Sequence, residues 1–202
     1  MDKIICVGKN YLKHARELGD AVPTEPLYFL KPPSVLCRAE GVKGKVELPG
    51  GDEVHHEIEL VLRIGKDPAG KFQFSHFTFG LDLTRRELQS RLKKAGQPWE
   101  KAKVFKNSAI VGPLFPLAKL PEVMSTSFML QVNGETRQNG LPSDMRWTPE
   151  ELLLDVQNWF PLCEGDLLFT GTPEGVGPMR HGDQLEVRGG PVLYSFTCTK
   201  GS

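Results

Sequence analysis

Phe128-Met129-Leu130-Gln131-Val132-Asn133-Gly134-Glu135-Thr136-Arg137 is the stretch that decides the fold class. An apolar-alternating run, then Asn-Gly, then a second extended run is a hairpin signal, because Asn and Gly accept the left-handed backbone of a two-residue turn. Outward from it, further strands are expected around Leu167 to Phe169, Gln184 to Val187 and Leu193 to Thr199. Upstream, Ile4-Ile5-Cys6-Val7 reads as a first strand, Leu27 to Leu30 as a short second one, and Val54 to Leu62 and Phe77 to Leu83 as two more. Helices are few. Thr148-Pro149-Glu150-Glu151 opens one with Pro in its first turn. Thr84 and Glu87 have the Thr-x-x-Glu spacing of a capping box, which predicts a start at Thr84, a stripe of Leu88, Leu92 and Ala95, and a stop at Gly96. Asn10 can cap a short helix ending near Gly19. Repeated hairpin signals with few helices predict an α+β, strand-rich chain with a largely antiparallel sheet, rolled or sandwiched and not doubly wound. A single domain over residues 1–202 is expected.

Chemistry enters at Val54-His55-His56-Glu57-Ile58-Glu59-Leu60-Val61-Leu62. Read as a strand, it puts Glu57 and Glu59 on one face and Ile58, Leu60 and Leu62 on the other. Two carboxylates about 7 Å apart along a strand can converge on one divalent cation, although soluble strands also place Glu on a solvated face. Asp82 follows, ahead of the helix expected at Thr84. It is either a carboxylate at the positive end of a helix dipole or a third oxygen ligand. Three carboxylates describe a hard-cation site, Mg²⁺ or Mn²⁺, and no His and Cys cluster at zinc spacing competes with it.

The 202 residues carry 25 Lys plus Arg and 25 Asp plus Glu, so no charge excess marks the chain for nucleic acid or an anionic membrane. No apolar stretch approaches a membrane span, and Ile4 to Val7 is too brief for a signal-peptide core. Four cysteines (Cys6, Cys37, Cys163, Cys198) show no paired spacing, which predicts reduced thiols and a cytoplasmic setting, with an organelle as the alternative. Between the first two strands and just after them, Pro23, Pro26, Pro32 and Pro33 mark an irregular connection. Functional lids are one common reason for such a loop, here over about residues 10–35. His14 and Glu17 lie three apart, on one face of the first helix. The pair is either an ordinary surface pair or an imidazole whose basicity a carboxylate raises.

In order along the chain, Val7-Gly8-Lys9-Asn10-Tyr11-Leu12-Lys13-His14-Ala15-Arg16-Glu17, Tyr28-Phe29-Leu30-Lys31-Pro32 and His55-His56-Glu57-Ile58-Glu59-Leu60 make a recognisable series. It continues through Asp82-Leu83-Thr84-Arg85-Arg86-Glu87-Leu88-Gln89, Gly96-Gln97-Pro98-Trp99, Ala102-Lys103-Val104-Phe105 and the glycine-rich run from Gly165 to Gly177. The chain resembles the fumarylacetoacetate hydrolase superfamily, in particular its short members, over nearly its whole length. The resemblance implies a mixed β-sandwich roll, usually a homodimer, with Glu57, Glu59 and Asp82 as metal ligands. It also implies a His14/Glu17 dyad on a lid that orders over substrate. Strand alternation puts Lys101, Lys103 and Phe105 on one face and cannot choose between the lysines; the resemblance selects Lys103. It assigns Thr172 to a substrate carboxylate or carbonyl, and turns Arg86 and Gln89 toward the pocket. Lys106 stands where relatives often carry Asp or a small polar residue, which predicts a more positive pocket edge.

A metal on these ligands would chelate a 2-keto acid and stabilise the adjacent enolate. The leading expectation is therefore a Mg²⁺- or Mn²⁺-dependent enzyme of small 2-keto or β-diketo acids, working by C–C hydrolysis of acylpyruvates or decarboxylation of oxaloacetate. An isomerase, tautomerising oxaloacetate or shifting a double bond in an unsaturated dicarboxylate, is the alternative on the same site. A non-catalytic, metal-stabilised dimeric scaffold is the third. The run Thr170-Gly171-Thr172-Pro173-Glu174-Gly175-Val176-Gly177 lacks the Walker spacing, which argues against a nucleotide site.

Overall fold

The computed structural model describes residues 1–13, 23–39, 42–51, 53–118 and 120–201. The first helix expected around His14 therefore lies, apart from its opening residues, outside the described residues, as do His14 and Glu17 themselves. The chain begins with β1 (Ile4–Gly8), β2 (Leu27–Lys31), β3 (Leu36–Arg38) and β4 (Val42–Leu48). Then come β5 (Val54–His56), β6 (Ile58–Lys66), β7 (Phe72–Asp82), β8 (Thr84–Arg85) and helix α1 (Arg86–Lys94). They are followed by β9 (Ala109–Val111), β10 (Phe115–Pro116), α2 (Leu120–Met124), β11 (Phe128–Val132), β12 (Glu135–Gly140) and α3 (Pro149–Trp159). The last four strands are β13 (Leu167–Phe169), β14 (Gly177–Met179), β15 (Gln184–Gly189) and β16 (Val192–Lys200). Among the described residues no helix is long and apolar enough to cross a membrane.

Three sheets form. The largest runs β2-β1-β13-β6-β7-β9-β3, with β10 added beside β7; the second runs β12-β11-β15-β16-β4; a small third one is β14-β5-β8. Most neighbours are antiparallel, but β1/β13, β3/β9 and β4/β16 are parallel, so the sheets are mixed. The hairpin at Asn133-Gly134 is present, with both turn residues at positive φ (53° and 82°) and Val132 facing Glu135. Such a backbone matches the strand twist, which is why Asn-Gly is favoured there.

The main core lies where the two larger sheets face each other. Leu60, Phe79 and Leu81 meet Phe128, Leu130, Val187 and Tyr194, all at most 1% exposed. Phe79 stacks on Phe128 with centroids 4.8 Å apart. Gly189 permits this: a Cβ there would lie 2.3 Å from the Phe79 ring. On the opposite side, Ile5, Val7, Ile64 and Leu168 pack against Leu152, Leu153 and Val156 of α3. That helix has the predicted N-terminus: the Thr148 hydroxyl accepts from Glu151 N–H at 3.3 Å, and the Glu151 carboxylate takes the Thr148 N–H at 2.8 Å.

Three local expectations are corrected. The strand read from Val54 to Leu62 is broken at Glu57, which separates β5 in the small sheet from β6 in the large one. Ile58, Leu60 and Leu62 do share the core face, but the face bearing Glu59 and Val61 is buried too, not solvated. α1 begins at Arg86, not Thr84, and no side chain caps it; Thr84 belongs to β8 and its hydroxyl is committed to Glu57 at 3.0 Å. The other end of α1 behaves as predicted. Gly96, at φ 63°, donates to Lys93 O and Gln97 to Leu92 O, the paired bonds of a Schellman stop. Lys101 to Phe105 is not a strand: Glu100–Ala102 is a 3-10 turn that leaves Lys103 at its C-terminal edge.

Candidate metal and substrate site

The break at Glu57 is what builds the site. β7 ends at Asp82, whose N–H donates to the Glu57 carbonyl at 2.9 Å, so the two residues sit side by side where the large sheet gives way to the small one. Glu59 lies two residues along β6. Oxygens of Glu57, Glu59 and Asp82 lie within 4.8 Å of one another, and all three residues are buried. Three buried carboxylates repel one another and resist leaving water, so each needs a partner.

The partners come from distant segments. Lys103 Nζ donates to Asp82 Oδ2 at 2.6 Å and to Glu57 Oε2 at 3.0 Å. Lys31 Nζ, 2.5 Å from Asp82 Oδ1, also donates to the carbonyls of Leu83 and Ser108 at 3.2 and 2.5 Å. Arg86 reaches Glu57 Oε1 through Nη2 and Gln89 Oε1 through Nη1, the latter at 2.8 Å. Glu59 accepts the Gly171 N–H at 2.7 Å. Gly171 has φ 99°, and a Cβ there would come within 2.8 Å of the Asn10 side chain; this turn needs glycine to bring its N–H so close. Thr172, next in line, is buried and accepts from Gln138 Nε2 at 2.8 Å. The Gln138 carbonyl oxygen in turn accepts from Ile58 N–H and His56 Nδ1, at 3.1 and 2.9 Å.

Electrostatics sort the groups. Burial, then the charges of Asp82 and Glu57, push the Glu59 carboxyl well above its ordinary range. Burial pulls Lys103 down, but the charges of Asp82 and Glu57 outweigh it, so its ammonium is held above the usual lysine range. Burial keeps His56 below its usual value, hence neutral beside Gln138. In formal charge, the three carboxylates are matched by Lys31, Lys103 and Arg86.

The donor set fits a divalent hard cation. It offers oxygens only, and in Glu59 it holds a carboxylate whose ionisation is opposed by its neighbours and would be relieved by added positive charge. Of the residues singled out from sequence, Glu57, Glu59, Asp82, Arg86, Gln89, Lys103 and Thr172 all line one cavity. His14 and Glu17 fall outside the described residues. Lys106 is not at the cavity edge, contrary to expectation; it is exposed and pairs with Glu47. Two participants went unrecognised. Lys31 announces itself only as a charge ending the apolar run Leu27 to Leu30. Gln138 carries no signal, being one polar residue in a polar strand.

Mixed β-sheets, with a buried acidic triad and a lysine where the large sheet gives way to the small one, define a strand-rich α+β protein with a candidate cation site. The chain belongs to the fumarylacetoacetate hydrolase family: the model of the Fumarylacetoacetate (FAA) hydrolase C-terminal family matches residues 3–193. Oxaloacetate tautomerase YcgM of Escherichia coli (strain K12) is 40% identical over 195 residues, 93% of this chain and 88% of that protein. The mitochondrial oxaloacetate tautomerase FAHD1 of Arabidopsis thaliana is also 40% identical, over 190 residues covering 91% and 84%. Among solved structures, fumarylpyruvate hydrolase from Pseudomonas aeruginosa, in complex with Mn²⁺ and pyruvate, superposes with a TM-score of 0.87 at 34% identity, covering 98% and 90% of the two chains.

Proposed function

We propose that the protein is a metal-dependent enzyme of small 2-keto acids that interconverts the keto and enol forms of oxaloacetate. The observation that carries this reading is the buried triad Glu57, Glu59 and Asp82 with the Lys103 ammonium wedged against two of its members. Two relatives at 40% identity with that activity in their names support it. Glu57, Glu59 and Asp82 would hold Mg²⁺ or Mn²⁺, which when bound supplies Lewis-acid polarisation of the keto group. The triad is matched in formal charge by Lys31, Lys103 and Arg86, and Lys9 and Lys93 line the same cavity, so adding a divalent cation favours an anionic ligand, and oxaloacetate is a dianion at neutral pH.

The side chains divide the remaining work. Arg86, steadied by Gln89, presents its guanidinium at the cavity wall for the substrate carboxylate, and the Thr172 hydroxyl, oriented by Gln138, faces the same space. Lys103, kept charged, stabilises negative charge developing on the substrate oxygen. In the enol-to-keto direction Lys103 Nζ gives a proton to C3, and the proton leaving the enol hydroxyl restores the ammonium; the reverse direction retraces this path.

A second reading, hydrolytic C–C cleavage of acylpyruvates, is favoured by the likeness to the fumarylpyruvate hydrolase and by His14 standing three residues from Glu17, a spacing suited to activating water. Decay of the enol absorbance of oxaloacetate tests the first reading, measured with Mn²⁺ and with excess chelator after subtracting the effect of free metal. Chelator should abolish the catalysed rate and Lys103→Met should lower it by about 100-fold. An unchanged rate in either case overturns the proposal. Pyruvate release from acetylpyruvate, lost in His14→Ala, would add the hydrolytic activity.

A further inference from the structure

Gln138 is an amide where packing alone would favour an apolar side chain. It sits on β12 opposite Leu130 and is 1% exposed, although both of its chain neighbours, Arg137 and Asn139, are exposed. By plain alternation Gln138 would share the exposed face of Thr136. A bulge turns it inward: Gln131 pairs with Thr136 and Leu130 with Gln138, so Arg137 is the extra residue. Gly175 makes room for the bulge, since a Cβ there would lie 2.2 Å from the Arg137 carbonyl oxygen. Both lone pairs and both protons of the amide are then used. Oε1 accepts from Ile58 N–H and His56 Nδ1, while Nε2 donates to the Pro173 carbonyl at 3.0 Å and to Thr172 Oγ1 at 2.8 Å. The two backbone partners fix which end is which, because an N–H only donates and a carbonyl only accepts. A flipped amide would set like against like at both.

We propose that Gln138 is a positioning residue that fixes the Thr172 hydroxyl as a donor toward the ligand. The inference rests on the keto-acid reading of the site. A hydroxyl has a single proton, and an incoming Nε2–H occupies one of its lone pairs. The Thr172 proton is thereby turned away from Gln138, and Thr172 lines the cavity of the carboxylate triad. A freely rotating hydroxyl would meet a ligand with proton or lone pair alike. Held by an amide whose own orientation is fixed, this one offers its proton, already aimed. The position at Thr172 therefore favours an oxygen that can only accept, a carboxylate or a carbonyl, over a hydroxyl or an ammonium. Gln138 acts on the ligand through Thr172.

A double-mutant cycle on oxalate binding tests this, read by calorimetric titration into the Mn²⁺-loaded protein. Oxalate offers acceptor oxygens only. Thr172→Val should weaken it by about tenfold, the size of one hydrogen bond to a charged group. Gln138→Glu replaces the donor by an acceptor and draws the Thr172 proton inward. Its loss in the wild-type background should exceed its loss in the Thr172→Val background by about tenfold. The neutral Gln138→Met, which merely releases the hydroxyl, should show a smaller coupling of the same sign. An amide that only supports the fold predicts equal losses with and without the Thr172 hydroxyl, and that result overturns the proposal. Unchanged affinity in Thr172→Val or Gln138→Glu, or absence of oxalate binding in the wild type, overturns it as well. Thr172→Ser decides the matter if the Gln138 variants do not fold: a serine hydroxyl held by Gln138 should keep the wild-type affinity, and a loss as large as that of Thr172→Val overturns the proposal. The coupling in a protein without oxaloacetate tautomerisation would refute the functional reading alone, and tautomerisation with uncoupled losses would refute this one alone.

Discussion

Lys31 shows how much one buried side chain can govern here. It is 1% exposed, donates to the carbonyls of Leu83 and Ser108, and forms an ion pair with Asp82 Oδ1. Lys31→Met keeps the stem in the core but leaves a buried carboxylate short of a counter-charge and two carbonyls short of a donor. Removing one member of a buried charged cluster costs about 3–5 kcal/mol, so the expected outcome is a fall of that order in unfolding free energy, measured in urea. A loss below about 1 kcal/mol would mean that the neighbourhood relaxes or admits water, and that Lys31 does not anchor Asp82. Lys103 differs although it binds the same carboxylate. It lines the cavity, so its replacement should act on turnover first.

At the level of elements, the alternation in β6 and the Asn-Gly hairpin were legible because each is a local property of backbone period and turn. Capping boxes were half legible. Thr148-x-x-Glu151 closes its box, whereas Thr84-x-x-Glu87, with the same spacing, does not, because the Thr84 hydroxyl finds the Glu57 carboxylate instead. A sequence pattern declares what a side chain can donate, and tertiary structure chooses the acceptor. The join between β1 and β13 was hidden for the same reason. Asp166 is buried and accepts from the N–H groups of Asp2, Lys3 and Cys163 and from Lys3 Nζ, at 2.7, 3.1, 2.8 and 3.0 Å, pinning the start of the chain beside its thirteenth strand. Burial pushes the Asp166 carboxyl up, but these donors outweigh it and hold it below its ordinary range. A depressed carboxyl stabilises the fold above the ordinary range, near pH 4, and that contribution fades as pH falls through the lower folded value. Asp166→Asn should therefore be destabilised at neutral pH by about 2–4 kcal/mol, and the gap from wild type should narrow as thermal melts are taken below pH 4. A gap independent of pH would assign the loss to geometry and not to charge.

Across the whole molecule, the site is a product of folding more than of any segment. Glu57 and Glu59 are neighbours in any extended chain, which is why they could be read from sequence, but Asp82 reaches them only when β7 pairs with β6. Lys31 arrives from the edge strand β2, Lys103 from a 3-10 turn, Gly171 from the loop after β13, and Gln138, through Thr172, from the second sheet. None of these meetings has a local signature; the family resemblance pointed to the ligands and to Lys103, Arg86, Gln89 and Thr172, while Lys31 and Gln138 stayed out of view. The same dispersion has a thermodynamic consequence. An unfolded chain offers at best two of the three carboxylates at close range, so a divalent cation held by the triad binds the folded state almost alone. Ligand that binds only the folded state stabilises it by about 2.7 kcal/mol at one hundred times its dissociation constant. Mn²⁺ should accordingly raise the melting temperature of the wild type in a concentration-dependent way. Asp82→Asn, nearly the same in volume but lacking the charge, should melt at a temperature that no longer responds to the metal. The comparison must be made within each variant, since the substitution also alters the pairing of Lys31 and Lys103 and shifts the metal-free melt on its own. Equal responses to Mn²⁺ in both proteins would place the cation elsewhere, and with it the chemistry proposed for this cluster.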